Sequence, residues 1–315
     1  GYIWIFSSSH GRGRPSYISR SIKPYDIAAF QVMWTGNFSY PQPIYYPGKG
    51  FLFIHTWYVK GRGNYIMTSN PEGTVWSERR QTAYFGEGHY QISGTWKSRK
   101  TGVAFDQHPK GKGLNWRTNL YYMESDDFGQ TWKNAQGEVL ELPLTNSLNA
   151  AIVLNYENQG RNVYLKEVQF DEQGHPIILF ILSKGYESGP ANGPREWRIV
   201  RWDGSRWIER FTGICSGNNY DFGPLYVESE TAWRIIGPTQ LGPQPYNPGG
   251  EIALWMSNDR GEIWTMTRQM TKNSAMNHTF VRRPVNARPD FYGFWADGHG
   301  RQPSTSSLYF CTREG

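Results

Sequence analysis

The chain has 315 residues, a formal net charge of +6 and a sequence pI near 9.1, a modestly basic balance that favours a polyanion as partner. Its 35 glycines, 19 prolines and 16% aromatic residues, with only 19% charged residues, exclude a disordered chain and fit short strands joined by tight turns. No run of about 18 apolar residues occurs, which excludes a spanning helix, and Cys215 and Cys311 supply neither a disulfide framework nor a C-x-x-C metal spacing.

The chain opens inside a pattern, because Gly1-Tyr2-Ile3-Trp4-Ile5-Phe6 already reads as a strand with no charged leader before it. A removed leader and a trimmed N-terminal strand are therefore expected. Strand-like runs follow at Ser16 to Ser21, Asn64 to Ser69, Asn119 to Ser125, Glu196 to Trp202, Glu251 to Ser257 and Ser307 to Thr312. Turn motifs close four of them. Ser125-Asp126-Asp127-Phe128-Gly129-Gln130-Thr131-Trp132 and Ser257-Asn258-Asp259-Arg260-Gly261-Glu262-Ile263-Trp264 share the Asp-box pattern S-x-D-x-G-x-x-W. In such a turn Ser and Asp side chains bond nearby backbone N–H groups, Gly takes a conformation closed to other residues, and Trp packs between sheets. Ser69-Asn70-Pro71-Glu72-Gly73-Thr74-Val75-Trp76 is a degraded copy, and Trp202-Asp203-Gly204-Ser205-Arg206-Trp207 a more degraded one.

Successive motifs are spaced by roughly one four-stranded blade, somewhat longer than the ~40 to 50 residues of familiar propeller repeats. The long second interval, between the motifs at Ser125 and Trp202, holds a Gly/Pro loop over residues 185–195, a candidate functional insertion. The predicted architecture is an all-β propeller of four-stranded antiparallel blades forming one domain over residues 1–315. About six modules are evident and seven blades are expected.

An antiparallel blade sends alternate loops to opposite rims. The boxes join third to fourth strands and mark one rim, so the ends of second strands and the starts of first and third strands mark the other. His89 and His278 open first strands there, and His10, His108 and His299 lie at second-strand ends. The same rule gathers Arg14, Tyr40, Arg62, Arg117, Tyr186, Arg195, Asn219, Tyr220, Arg282 and Arg283, while His55 falls inside a strand and His175 on the box side. This inventory is rich in His, Tyr and Arg. Its carboxylates, such as Asp106, Glu187 and Asp297, are scattered, which disfavours glycoside hydrolysis by a carboxylate pair. β-Elimination on a uronic acid fits better, since it needs a cation on the substrate carboxylate, a base for the C5 proton and an acid for the departing O4.

Several segments together resemble the BNR-repeat (Asp-box) propeller proteins that include ulvan lyases. They are Phe6-Ser7-Ser8-Ser9-His10-Gly11 with Arg14-Pro15-Ser16, Ser39-Tyr40-Pro41-Gln42-Pro43, Gly88-His89-Tyr90-Gln91, Arg117-Thr118-Asn119-Leu120-Tyr121-Tyr122, Gly193-Pro194-Arg195-Glu196-Trp197, Asn219-Tyr220-Asp221 and Arg282-Arg283-Pro284-Val285. The resemblance implies a seven-bladed propeller, secreted or periplasmic, that cleaves a uronic-acid-containing and ulvan-like sulfated polysaccharide. By the same resemblance His89 and His108 match a histidine pair acting as base or carboxylate neutraliser, Tyr186 the acid, and Arg195 the carboxylate clamp, with Arg198 its substitute. Substrate contacts are then expected from His10, Arg14, Tyr40, Arg117, Asn219, Tyr220, His278, Arg282 and Arg283. A structural calcium or zinc is compatible with the family, although no ligand set can be named. Two other readings stay open. A sialidase-like or rhamnogalacturonan-type hydrolase would use Arg14, Arg195 and Arg283 as an arginine triad beside Tyr186 and Glu187, and a non-catalytic glycan-binding propeller would lack a His–Tyr–Arg cluster. The partner is an acidic polysaccharide, with no nucleic acid or membrane, and the protein is expected to be a monomer.

Overall fold

The computed structural model of the protein describes residues 1–59 and 61–315. Its strands pair in chain order into six sheets. The first holds β1 (Trp4–Ser7), β2 (Ser16–Ser21) and β3 (Phe30–Gly36); the second β4 (Ser39–Tyr46), β5 (Gly50–Tyr58), β6 (Arg62–Thr68) and β7 (Arg80–Ala83). The third holds β8 (Gln91–Trp96), β9 (Lys100–Gln107), β10 (Thr118–Ser125) and β11 (Ile152–Leu154); the fourth β12 (Asn162–Phe170), β13 (Pro176–Ser183), β14 (Arg195–Trp202) and β15 (Trp207–Ser216). The fifth holds β16 (Leu225–Val227), β17 (Trp233–Gln240), β18 (Glu251–Ser257) and β19 (Thr265–Gln269); the sixth β20 (His278–Arg282), β21 (Gly293–Asp297) and β22 (Leu308–Cys311).

The fold is thus an all-β propeller of antiparallel blades, with a correction to the expected count. The 22 strands among the described residues are all consumed by six blades, and the first and last sheets have three strands each, so none remains for a seventh. Gly1–Leu114 with Tyr121–Ile152 form one compact unit, and Asn115–Leu120 with Val153–Gly315 a second. No helix among the described residues is long and apolar enough to cross a membrane.

Burial follows strand position. The second strands of the four-stranded sheets are covered on both faces, so β13 (Pro-Ile-Ile-Leu-Phe-Ile-Leu-Ser) is buried throughout and reads as a continuous apolar run, whereas β19 is exposed along its length. Trp132 is sealed within the core of the first unit, and Trp197 and Trp233 within that of the second.

The box turns sit where the motif places them, after the third strands. Ser125 Oγ donates to Asp127 Oδ1 (2.8 Å) and accepts from Gly129 N (2.9 Å), Asp127 accepts from Thr131 N (2.9 Å), and Trp132 Nε1 donates to Gly129 O (3.1 Å). Ser257, Asp259, Gly261 and Trp264 repeat the set. The degraded copy keeps it by a shift of one residue: Asn70 Oδ1 accepts from Thr74 N (2.8 Å) and Val75 N (3.0 Å) in place of the missing Asp. Gly129 has φ +83°, and a Cβ there would lie 2.8 Å from Leu52 Cδ1, so the turn also presses on the sheet beside it.

Removing Asp127 strands these N–H groups in a partly buried turn. Asp127→Ala should lower unfolding free energy by about 1–3 kcal/mol, read from urea midpoints, while its exposed neighbour in Asp126→Ala should cost under about 0.5 kcal/mol.

Candidate functional site

In the first unit the blade ends away from the boxes carry a buried polar cluster. Gly88 brings its parts together, bridging Arg62 on one side and His108 on the other. Its φ is +123°, and a Cβ would lie 2.3 Å from Arg62 O, so only glycine permits the approach. His108 is buried with neither ring nitrogen hydrogen-bonded; Nε2 stands 3.5 Å from Asp106 Oδ1. Asp106 accepts from Tyr90 N (2.7 Å) through Oδ1 and leaves Oδ2 without a partner. The Arg62 guanidinium lies 4.4 Å from the Tyr90 ring centroid, donates to Tyr58 Oη (3.4 Å), and keeps Nη1 unpartnered although the residue is buried. Tyr40 donates to Tyr90 Oη (3.4 Å), and burial followed by that neighbour pushes its phenol up. His10 meets the Tyr40 and Tyr58 rings edge-on at 5.5 and 6.1 Å.

His89 behaves differently. Nε2 accepts from Phe85 N (3.1 Å), which puts the proton on Nδ1, and Nδ1 donates to Asp106 O (2.7 Å). Burial pulls the ring down to about 4, so it is neutral at physiological pH with both nitrogens spent on backbone. The expected role as base or carboxylate neutraliser needs a ring nitrogen that these backbone bonds occupy.

The second unit holds an open cavity of about 720 Å³ lined by Asn115, Tyr186, Glu187, Ser188, Asn218, Tyr220, Pro248, Phe280, Gly300 and Arg301. On one wall Arg117 Nη2 donates to Tyr220 Oη (3.1 Å), and Tyr220 donates to Asn115 Oδ1 (2.6 Å). The Arg117 guanidinium lies 4.8 and 5.1 Å from the Tyr164 and Tyr220 ring centroids, which fixes the cation by its π contacts. On the other wall Tyr186 makes no hydrogen bond to any described residue.

The loop carrying Tyr186 is held by Arg195 and Asn219. Arg195 is fully buried and donates through Nη1 to Gly193 O (2.8 Å) and Gly189 O (3.3 Å), through Nη2 to Glu187 O, and through Nε to Asn219 Oδ1 (3.1 Å). Asn219 Nδ2 reaches Gly185 O (3.2 Å). All three guanidinium nitrogens of Arg195 thus donate to the loop or to Asn219, where the expected carboxylate clamp needs donors facing the substrate. Its substitute Arg198 is paired with Glu196 and Glu209, each at 2.6 Å. Beneath them Lys166 Nζ donates to Asn219 O (2.8 Å), while Asp221 accepts from Gly249 N (2.6 Å) and Asn218 N (2.8 Å).

The remaining expected residues scatter. His278 is spent on Trp295 Nε1 (2.9 Å) and Ser274 Oγ (2.9 Å), Arg283 pairs with Glu167 (3.4 Å), Arg282 lies 3.9 Å from the Phe222 ring centroid, and Arg14 is exposed. Asp297 is likewise committed, accepting from Ser307 N (2.6 Å) and Tyr309 Oη (2.9 Å). Sequence reasoning missed Tyr58, Tyr90, Asn115, Phe280 and Arg301. Arg301 follows the same second-strand end that marked His299 and could have been found by that rule. Among the described residues no group of three or more His, Cys, Asp or Glu side chains comes together to hold a metal ion.

A family model described as "BNR repeat-containing family member" matches residues 1–213. The chain belongs to the BNR repeat-containing family. It is 26% identical over 328 residues to an ulvan lyase of Nonlabens ulvanivorans, covering 92% of this chain and 66% of that protein. An ulvan lyase of Alteromonas sp. (strain LOR) is also 26% identical, over 326 residues, covering 92% and 65%. The chain thus spans about two thirds of the length of these curated relatives. Among solved structures, a PL25 ulvan lyase superposes with a TM-score of 0.80 at 20% identity, covering 99% of this chain and 76% of the other. A PL25 ulvan lyase bound to -[GlcA(1-4)Rha3S]- gives 0.78 at 19% identity, covering 99% and 76%. These likenesses carry the fold.

Burial holds Lys166 down to about 7 against the opposing pull of Asp221. Between that value and the ordinary lysine range the folded protein binds fewer protons than the unfolded chain, so stability rises with pH across this window. The double replacement Lys166→Met/Asp221→Asn should abolish the rise in Tm between about pH 7 and pH 9, measured by thermal scans at fixed ionic strength.

Proposed function

We propose that the protein is a polysaccharide lyase that cleaves an acidic, uronic-acid-containing polysaccharide of the ulvan type by β-elimination. The supporting observation is the make-up of the cavity wall, where an unbonded tyrosine, Tyr186, shares one space with Tyr220, on which the Arg117 guanidinium is held, and with a single carboxylate, Glu187. Hydrolysis by a carboxylate pair lacks its second member there. The sialidase-like alternative loses its arginine triad, since Arg195 is spent on loop carbonyls and Arg283 on Glu167.

Elimination asks for less. A base removes the proton from C5 of the uronate, electrons form the C4=C5 double bond, and the departing O4 takes up a proton. Tyr186, with a hydroxyl free to meet the substrate, is the acid that gives its proton to the departing O4, and the Glu187 carboxylate in the same cavity is the base that takes the C5 proton. The Arg117 guanidinium, held beside Tyr220, supplies the positive charge that supports the uronate carboxylate as C5 is deprotonated. Export from the cell, where such polymers are met, and action as a monomeric single domain belong to the same reading. The lyase names of the two curated relatives and of the superposed structure agree with it.

A second seat for the chemistry is favoured by one observation in the first unit: His108 and Arg62 Nη1 are buried without hydrogen-bond partners. Point variants separate the two. Incubation with uronic-acid polymers, followed by ultraviolet absorbance of the unsaturated product, should show activity that falls at least about 100-fold in Tyr186→Phe. Full activity in Tyr186→Phe together with its loss in His108→Ala would move the reaction to the first unit. Reducing ends appearing without absorbance would reject elimination altogether.

A further inference from the structure

The cavity has a wall that proton transfer does not use. Phe280 lies inside β20, lines the cavity and is 46% exposed. Its φ is +55°, a left-handed conformation that a bulky side chain adopts only under constraint. The register of β20 against β21 breaks between Thr279 and Arg282, so the strand bulges at this point, the device by which strands re-aim a side chain beside a site. Behind the ring stands a stack: Phe222 lies parallel to Phe280 at 6.1 Å and 17°, and the Arg282 guanidinium approaches Phe222 at 3.9 Å. Strain, exposure and a firm backing together describe a platform held open for something to lie on.

A cation shares that cavity. Arg301 is exposed in the loop after β21, and Nη2 anchors it to Ser188 Oγ (3.3 Å) and Tyr246 O (3.2 Å). Its Nε and Nη1 make no hydrogen bond to any described residue, and no carboxylate pairs with it. Both Phe280 and Arg301 lie beyond residue 213, where the match to the family model ends, so this wall is a feature of the chain beyond the matched family segment.

We propose that Phe280 and Arg301 form a subsite that selects a sulfated sugar adjoining the uronate at which the chain is cut, an inference that rests on the lyase reading for its substrate class. The Phe280 ring stacks on the apolar face of the sugar. The free donors of Arg301 receive the sulfate, a charge-assisted contact whose planar geometry suits a multidentate oxyanion.

Titration calorimetry with a sulfated uronate–rhamnose tetrasaccharide and its chemically desulfated counterpart tests this, with product absorbance recorded in parallel. Arg301→Ala should weaken binding of the sulfated ligand about tenfold and of the desulfated one by less than about threefold. Phe280→Gly should weaken both about tenfold without lowering Tm, because glycine accepts the positive φ at no steric cost. Wild-type affinity in both variants would overturn the subsite. So would an equal loss for both ligands in Arg301→Ala, or a lowered Tm with intact affinity in Phe280→Gly. Sulfate-dependent binding in the wild type that Arg301→Ala abolishes, with no absorbance change, would uphold the subsite and reject the lyase reading.

Discussion

A short side chain closes each third-to-fourth strand turn by bonding backbone N–H groups, and the rest of the molecule is arranged around that closure. Asp127, Asp259, Asn70 and Asp203 each fill this role, with different spacings and in three different local sequences. Because the turn is secured by its own residues, the following Trp can enter the core, and Trp132 and Trp264 do so while donating to Gly129 O and Gly261 O. The turn also assigns ends. Once one end of a blade is occupied by box turns, the longer and less regular loops fall at the other, where the 185–195 insertion and the 298–307 loop have room to vary.

That closure explains why so much of the scaffold was legible. The runs Ser16 to Ser21 and Glu251 to Ser257 coincide with β2 and β18, and the box positions were readable even in degraded form, since Asn70 can do from one place what Asp does from the next. The blade count was less legible. Six modules were evident in the residues, and the expected seventh rested on the incomplete first and last modules together with the family resemblance; the three-stranded first and last sheets leave no strands for it.

The site was legible only in part, for a physical reason. Strand ends tell which residues gather at an edge; that rule puts Tyr186 and Tyr220 on one rim, and both line one cavity. They do not tell which donors are already consumed. His89 and Arg195 look like catalytic residues in sequence and His278 like a substrate contact, yet each is saturated by backbone or neighbouring side chains whose positions only the fold supplies. Phe280 was hidden for the opposite reason, because a bulge breaks the alternation that would have assigned its face. A tyrosine without a hydrogen bond to any described residue, Tyr186, and an arginine held but not saturated, Arg301, distinguish the cavity from these spent groups.

The proposed reaction breaks the glycosidic bond by elimination and not by water. Cleavage of a uronic-acid polymer in water enriched in heavy oxygen, followed by mass spectrometry of the products, tests it directly. Elimination predicts unsaturated uronate ends and no solvent oxygen in either product. One heavy oxygen incorporated per cleavage, with saturated ends, would contradict it.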